Sequence, residues 1–189
     1  MGNTYINIHQ ELLDRCLKND KKAQFEIYRL YYRSMYNSSL RIVGVAEEAE
    51  DMMQESFLTA FQKLKTYNGE VSFGAWLRKI VINRSLDALR KRKVVFEELH
   101  AELPVANAPE PEGEPISIDE VKSAMESLSD GYRTILSLIL LEGYDHEEVS
   151  EILGIQNVTS RTQFSRARQR LKEILTENRN KKMEERIYG

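Results

Sequence analysis

Cysteine is almost missing: Cys16 is the only one in 189 residues. That excludes an internal disulfide and any cysteine-rich zinc site. Cys16 stands beside Leu12, Leu13 and Leu17, the setting of a buried structural thiol. Histidine is scarce as well, and His9, His100 and His146 are scattered without metal-ligand spacing. One Glu-x-x-His pair, Glu97 with His100, falls short of the two that a helical di-iron site needs. No glycine-rich phosphate loop occurs. These gaps argue against an enzyme and predict no catalytic, cofactor or metal site. Long apolar runs are lacking too. The most apolar stretch, LSLILL from Leu136 to Leu141, is broken by Ser137 and is far short of the roughly 20 residues of a membrane span. The opening MGNTYINIHQELLDR has no basic-then-apolar signal layout. A cytoplasmic protein with no direct membrane contact is the expectation.

Proline is confined to one window, Pro104, Pro109, Pro111 and Pro115. PVANAPEPEGEP has no apolar period and many acids, so it predicts an extended, solvated linker. Net charge is only -3, but the charge is segregated. Arg78, Lys79, Arg84, Arg90, Lys91, Arg92 and Lys93 cluster against Asp87 alone. A second basic run is Arg161, Arg166, Arg168, Arg170 and Lys172. Between the two lie Glu97, Glu98, Glu102, Glu110, Glu112, Glu114, Asp119 and Glu120. Two basic helices joined by an acidic tether point toward a polyanion; a solvated charged face is the alternative for either run.

The periodicity is helical throughout, so the fold class is all-α: two helical domains joined by a flexible acidic linker. The first half predicts helices over Ile8 to Lys18, from Lys22 to the stop at Gly44, over Ala46 to Thr66, and from an N-cap at Ser72 to about Lys93. Ser117 and Glu120 form a capping-box pair, with Ile118, Val121, Met125 and Leu128 on the buried face. Tyr132 to Leu141 follows, then a second capping pair, Asp145 and Glu148, and Gly154. A short helix, a glycine turn and a longer basic helix make a helix-turn-helix layout.

On the basic helix, Phe164, Ala167, Leu171, Ile174 and Leu175 share one inward face. Thr162, Ser165, Arg166 and Gln169 oppose it. A recognition helix reads bases through its first turns. Arg161, Thr162, Ser165 and Arg166 are therefore the expected readers, with Arg168, Arg170 and Lys172 toward phosphates or water. A basic surface helix, a calmodulin-target helix or a membrane-surface helix are the other readings.

The stretch from Leu128 to Leu175 resembles region 4 of bacterial sigma factors, chiefly through EEVSEILGI (Glu147 to Ile155) and SRAR (Ser165 to Arg168). AEDMMQESFLTAF, Ala49 to Phe61, resembles the region 2 stretch with the pattern D-x-x-Q-E-x-F. FGAWLRKIVINRSLDALRKRK, Phe73 to Lys93, resembles the segment that melts and reads the -10 promoter element. With both in order and nothing between but the linker, the chain resembles the extracytoplasmic-function (ECF) group. The resemblance divides it into a region 2 domain over 8–93, a linker over 94–116, a region 4 domain over 117–176 and a C-terminal tail over 177–189.

What the resemblance implies is a transcription initiation factor that directs core RNA polymerase to promoters. It reads the -35 element as duplex and the -10 element as melted strand. The alternative is a stand-alone helix-turn-helix regulator. The β′ clamp helices would bind Asp51, Gln54, Glu55 and Leu58, and the β flap is a further polymerase contact. An exposed Leu58 amid carboxylates is an odd surface unless a partner covers it. Asn83 is the expected base or backbone contact in the -10 strand, on one stripe with Trp76, Ile80 and Asp87, and Asp87 is counted with it among the -10 DNA-binding residues. Arg84, Arg90, Lys91 and Arg92 would hold phosphates. The loop Tyr67 to Ser72 would wall a base pocket, and Phe73 and Trp76 are candidates for stacking on bases, core packing being the favoured role for Trp76. An anti-sigma factor, often membrane-anchored, is the further partner that the resemblance implies. The linker carboxylates Glu110, Glu112 and Glu114 would line a basic channel until the transcript arrives, so replacing all three with Gln should alter abortive products.

Two residues depart from the family pattern. Ser160 falls on the Phe164/Leu171 side, where the family usually has Val, and Gln163 stands where Arg is common. Ser160 is expected to bond a carbonyl one turn back or to mark a shifted helix start; if it is only a packing defect, Ser160→Val raises stability.

Overall fold

A computed structural model describes residues 8–92 and 116–188. The linker, with Glu110, Glu112, Glu114 and the Glu97/His100 pair, lies outside the described residues, Ile116 excepted. Among the described residues there are helices and turns but no strand, as an all-α fold requires. The chain divides between Lys91 and Arg92 into two compact units.

The first unit holds α1 (Gln10–Leu17), α2 (Lys21–Val43), α3 (Ala46–Lys63) and α4 (Phe73–Lys91). Helix α1 buries Leu13 and Cys16. Ile8, expected to open it, lies outside the helix and is 87% exposed. The first turn of α2 is capped by Asp20, whose Oδ1 accepts from the backbone N–H groups of Lys22 and Ala23. Arg15 donates Nε and Nη2 to Asp20 Oδ2 at 2.9 and 2.8 Å. That hydrogen bond, then those from the backbone, holds the Asp20 carboxyl below its ordinary range. Helix α2 ends at Gly44, whose φ of 74° suits a residue without Cβ.

Helix α3 turns Ala49, Met53, Phe57 and Ala60 inward and tightens into a 3₁₀ turn, Leu64–Thr66, that buries Leu64. Ser72 starts α4, its Oγ accepting from Ala75 N–H at 3.2 Å. Leu77, Val81, Ile82, Leu86 and Leu89 then fill the core. Helices α2, α3 and α4 pack mutually. Where α2 meets α4, Ser39 and Ser85 share a buried hydrogen bond of 2.9 Å, which satisfies both hydroxyls away from water.

The second unit holds α5 (Ile118–Glu126), α6 (Asp130–Leu136) with a closing π turn (Ser137–Leu141), α7 (His146–Leu153) and α8 (Asn157–Tyr188). Both expected capping boxes form, Ser117 with Glu120 and Asp145 with Glu148. Ile118 does not join the core; it is 74% exposed, and Ala124 and Leu128 are the buried residues. A helix start carries its first side chain away from the packed turn, so the apolar face begins later. Helix α6 starts at Asp130, ahead of Tyr132. Arg133, 7% exposed, is held by Asp130 and donates to the Leu128 carbonyl at 3.2 Å. A buried guanidinium needs such partners. Helix α8 continues well past Leu175, and its extension returns to α5: Lys182 Nζ and Arg179 Nη2 reach Glu120 at 3.2 and 3.8 Å.

Candidate functional site

On α3 the core residues leave the opposite stripe to solvent. Asp51, Gln54, Glu55 and Leu58 are all exposed, Leu58 by 63%. Gln54 Nε2 donates to Glu50 at 3.1 Å, so its amide is oriented along the stripe. This is an acidic surface with one aliphatic side chain in it, matched chemically to a basic helix with an apolar spot.

The basic helix α4 presents Asn83, Asp87, Arg90 and Lys91 as exposed residues and Arg84 as half-buried, while Arg92 lies past the end of the helix and is half-buried. Arg90 Nη1 donates to Asp87 Oδ1 at 3.0 Å, so one of the expected phosphate ligands is already paired. Phe73 is corrected: at 1% exposure it is a core residue and cannot stack on a base. It lies edge-on to Tyr31 and Tyr67, with ring centroids 5.5 and 5.7 Å away. Trp76 is half-buried against Tyr67 and Phe73, at 5.4 and 5.6 Å, in keeping with packing. The loop before α4 is organised by its own side chains. Tyr67 Oη donates to the Val71 carbonyl at 2.7 Å, Asn68 Oδ1 accepts from Glu70 N–H at 3.2 Å, and Gly69 has a φ of 76°. Asn68, Glu70 and Val71 are left exposed.

In the second unit α7 ends at Gly154, with a φ of 70°, and α8 begins three residues on. Its buried face carries Ala167, Ile174 and Leu175, with Phe164 and Leu171 half-buried. It also carries two polar residues, Ser160 and Gln163, at 0% and 2% exposure. Among the described residues, the side chain of Ser160 bonds no carbonyl. Its Oγ lies 2.9 Å from His146 Nδ1, and the His146 ring stands edge-on to Phe164 at 5.4 Å. The first residue of α7 and the first turn of α8 are thus fixed to each other by a polar contact. Sequence spacing gives His146 no distinction; the buried phase of Ser160 is the one signal that a partner is required.

The expected readers lie unevenly. Arg161, Thr162 and Ser165 are exposed, and Arg166 is half-buried. Arg161 Nε donates to Asn157 at 2.9 Å and Thr162 Oγ1 to the Val158 carbonyl at 3.0 Å. Arg168 lies over the Phe164 ring at 5.8 Å. Arg170 bonds Glu173 and Glu177 at 3.0 and 3.5 Å, which ties it along its own helix.

The chain matches Sigma-70 region 2 over residues 27–94 and Sigma-70 region 4 over residues 118–171. The ECF RNA polymerase sigma factor SigM of Bacillus subtilis is 31% identical over 153 residues, which covers 79% of this chain and 93% of the relative. The chain is an ECF sigma factor. A second member, SigE of Mycolicibacterium smegmatis, is 30% identical over 159 residues; that match covers 81% of this chain and 62% of the relative's own length. The solved sigma factor RpoE, in complex with the anti-sigma factor NepR from Bartonella quintana, shares the fold with a TM-score of 0.55. It is 24% identical, covering 79% of this chain and 94% of that one.

This sigma factor is a promoter-specific transcription initiation factor. A stand-alone helix-turn-helix regulator is not favoured, since a region 2 match has no place in it.

Proposed function

We propose that the sigma factor divides its task over three helix faces. The α3 stripe of Asp51, Gln54, Glu55 and Leu58 docks core RNA polymerase on its β′ clamp helices. Asn83 on α4 contacts a base or the backbone of the opened -10 strand, and Arg84, Arg90, Lys91 and Arg92 hold phosphates, with Asp87 orienting Arg90. Arg161, Thr162, Ser165 and Arg166 at the start of α8 read the -35 duplex in the major groove. The β flap and an anti-sigma factor are further protein partners, the latter by analogy with the RpoE–NepR pair. The cytoplasm, where polymerase and DNA meet, is the proposed location.

The observation that carries this reading is Leu58, 63% exposed within an otherwise polar stripe. An aliphatic side chain so placed has little to do for folding. Covering it in a desolvated contact gives a hot spot worth about 2 kcal/mol, or more than tenfold in affinity. The test adds the purified chain to sigma-free core polymerase. Wild type should form a complex and direct promoter-dependent initiation. Leu58→Glu should bind at least about tenfold more weakly with an unchanged melting temperature. Strong duplex binding with no polymerase association would overturn the reading.

A further inference from the structure

One amphipathic face has no role in the reading above. Helix α2 turns Ala23, Ile27 and Met35 into the core. Its outward side carries Phe25 and Leu30, 61% and 53% exposed. With Lys21, Lys22, Glu26 and Arg29 they line an open groove of about 690 Å³. Arg33, one turn beyond Arg29, is exposed as well. Four cations against the single carboxylate of Glu26 make this a basic helix face with an apolar centre. The α3 stripe is its inverse: the exposed carboxylates of Glu47, Asp51 and Glu55 lead to the exposed Leu58. Both faces lie opposite the buried residues of their own helices in one bundle, so they cannot meet within one chain.

We infer that the groove takes a second copy of this chain: the α2 face of one molecule docks the α3 stripe of the next, head to tail, and hides that stripe from polymerase. The effect on polymerase rests on the docking proposed for α3. An antiparallel crossing supplies the register. With Leu58 seated on Phe25, Arg29 and Arg33 follow along α2 at about 6 and 12 Å, at 1.5 Å per residue. Back along α3 from Leu58, Glu55 and Asp51 lie at about 4.5 and 10.5 Å. Arg29 then meets Glu55, and Arg33 meets Asp51. Glu55 also holds Arg84 at 2.9 Å, but its side chain is 50% exposed, so a second cation can reach it. Opposite charges fix orientation and register, while the apolar pair forms the desolvated centre. The contact is heterologous: every copy keeps one face free, so growth continues past a dimer. Two crossed helices bury a small area, so the association is weak and sensitive to salt.

The full-length chain is followed by sedimentation velocity from about 5 to about 200 μM, a range suited to a small interface. The average mass of wild type should rise with concentration past that of a dimer and fall back in about 0.5 M salt. Phe25→Glu spoils the α2 face and Leu58→Glu the α3 stripe, and each alone should remain monomeric. Mixed in equal amounts, the two variants retain one good face of each kind and should stop at a 1:1 dimer. Met183→Glu, which changes an exposed apolar residue on α8, should assemble as wild type does. A wild type that stays monomeric overturns the inference; that is the result expected if the acidic linker or an outside acidic protein fills the groove. So does a wild type that stops at a dimer, an assembly that survives Phe25→Glu, or an equal mixture that stays monomeric. Core polymerase should dissolve the assembly into one sigma factor per polymerase. If the assembly forms and polymerase leaves it intact, the docking assignment falls and the self-association stands. If polymerase is bound and no assembly forms, the inference alone falls.

Discussion

Ser160 occupies a position where an aliphatic residue would cost nothing to bury, and a hydroxyl there needs a partner. His146 supplies it at 2.9 Å, so the residue is no packing defect. Removing one member leaves the other half-satisfied, which costs on the order of 1 kcal/mol. Ser160→Ala and Ser160→Val should therefore both lower the stability of the second unit in chemical denaturation. A cycle with His146→Leu should return a coupling energy of about 1 kcal/mol; an additive double mutant would remove the contact from the account. Cys16 shows the other use of burial. Its thiol is pushed up to about 11, mainly by desolvation, with Asp20 adding to the effect. At neutral pH it should resist alkylation in the native protein and react at an ordinary rate once unfolded. Rapid native labelling would show that α1 opens readily.

Among the elements, α8 braces the start of α5 with its far end. Glu120 accepts from Ser117 N–H at 3.0 Å and from Lys182 Nζ at 3.2 Å. The Ser117 backbone bond first, then Lys182, lowers its carboxyl from 4.5 to about 2. The sign follows from a folded value below the unfolded one. The stabilisation is complete above about 4.5 and is lost as pH falls toward 2. Thermal melts of wild type and Glu120→Gln should differ most above that window and converge below it. Parallel curves across the window would mean that Lys182 and Arg179 do not fasten α5. The sequence made much of this frame legible, because helical caps and faces are local. The two capping boxes, the stop at Gly44 and the α3 face of Ala49, Met53, Phe57, Ala60 and Leu64 all depend on residues a few positions apart. Contacts across helices were not legible. Pairing Ser39 with Ser85, or His146 with Ser160, depends on how two helices are rotated about their axes, which periodicity within one helix does not fix. Ile118 and Phe73 erred for a related reason: an end position and a mixed face give little phase information.

For the whole molecule, a net charge of -3 sets the field in which its basic faces act. A chain with acidic excess is not drawn to DNA indiscriminately, so its cationic residues act where a partner brings nucleic acid to them. The two proposed nucleic-acid faces then separate by their chemistry. Phosphate contacts release counterions and set the salt dependence, while base contacts set sequence preference. Arg90 and Lys91 are exposed at the end of α4, and the proposed function puts them in the first class. Arg161 is exposed in the first turns of α8, and the same proposal puts it in the second. With polymerase bound, changing Arg90 and Lys91 to Gln should flatten the plot of log affinity against log salt by about 0.7 for each phosphate lost on a single strand. The ranking of promoter variants should stay the same. Arg161→Ala should lose about 1–3 kcal/mol on the preferred upstream sequence and little on mismatched ones, which relaxes the preference at that position. If Arg161→Ala weakens all sequences alike and only flattens the salt plot, the start of α8 grips the backbone and the duplex is read elsewhere.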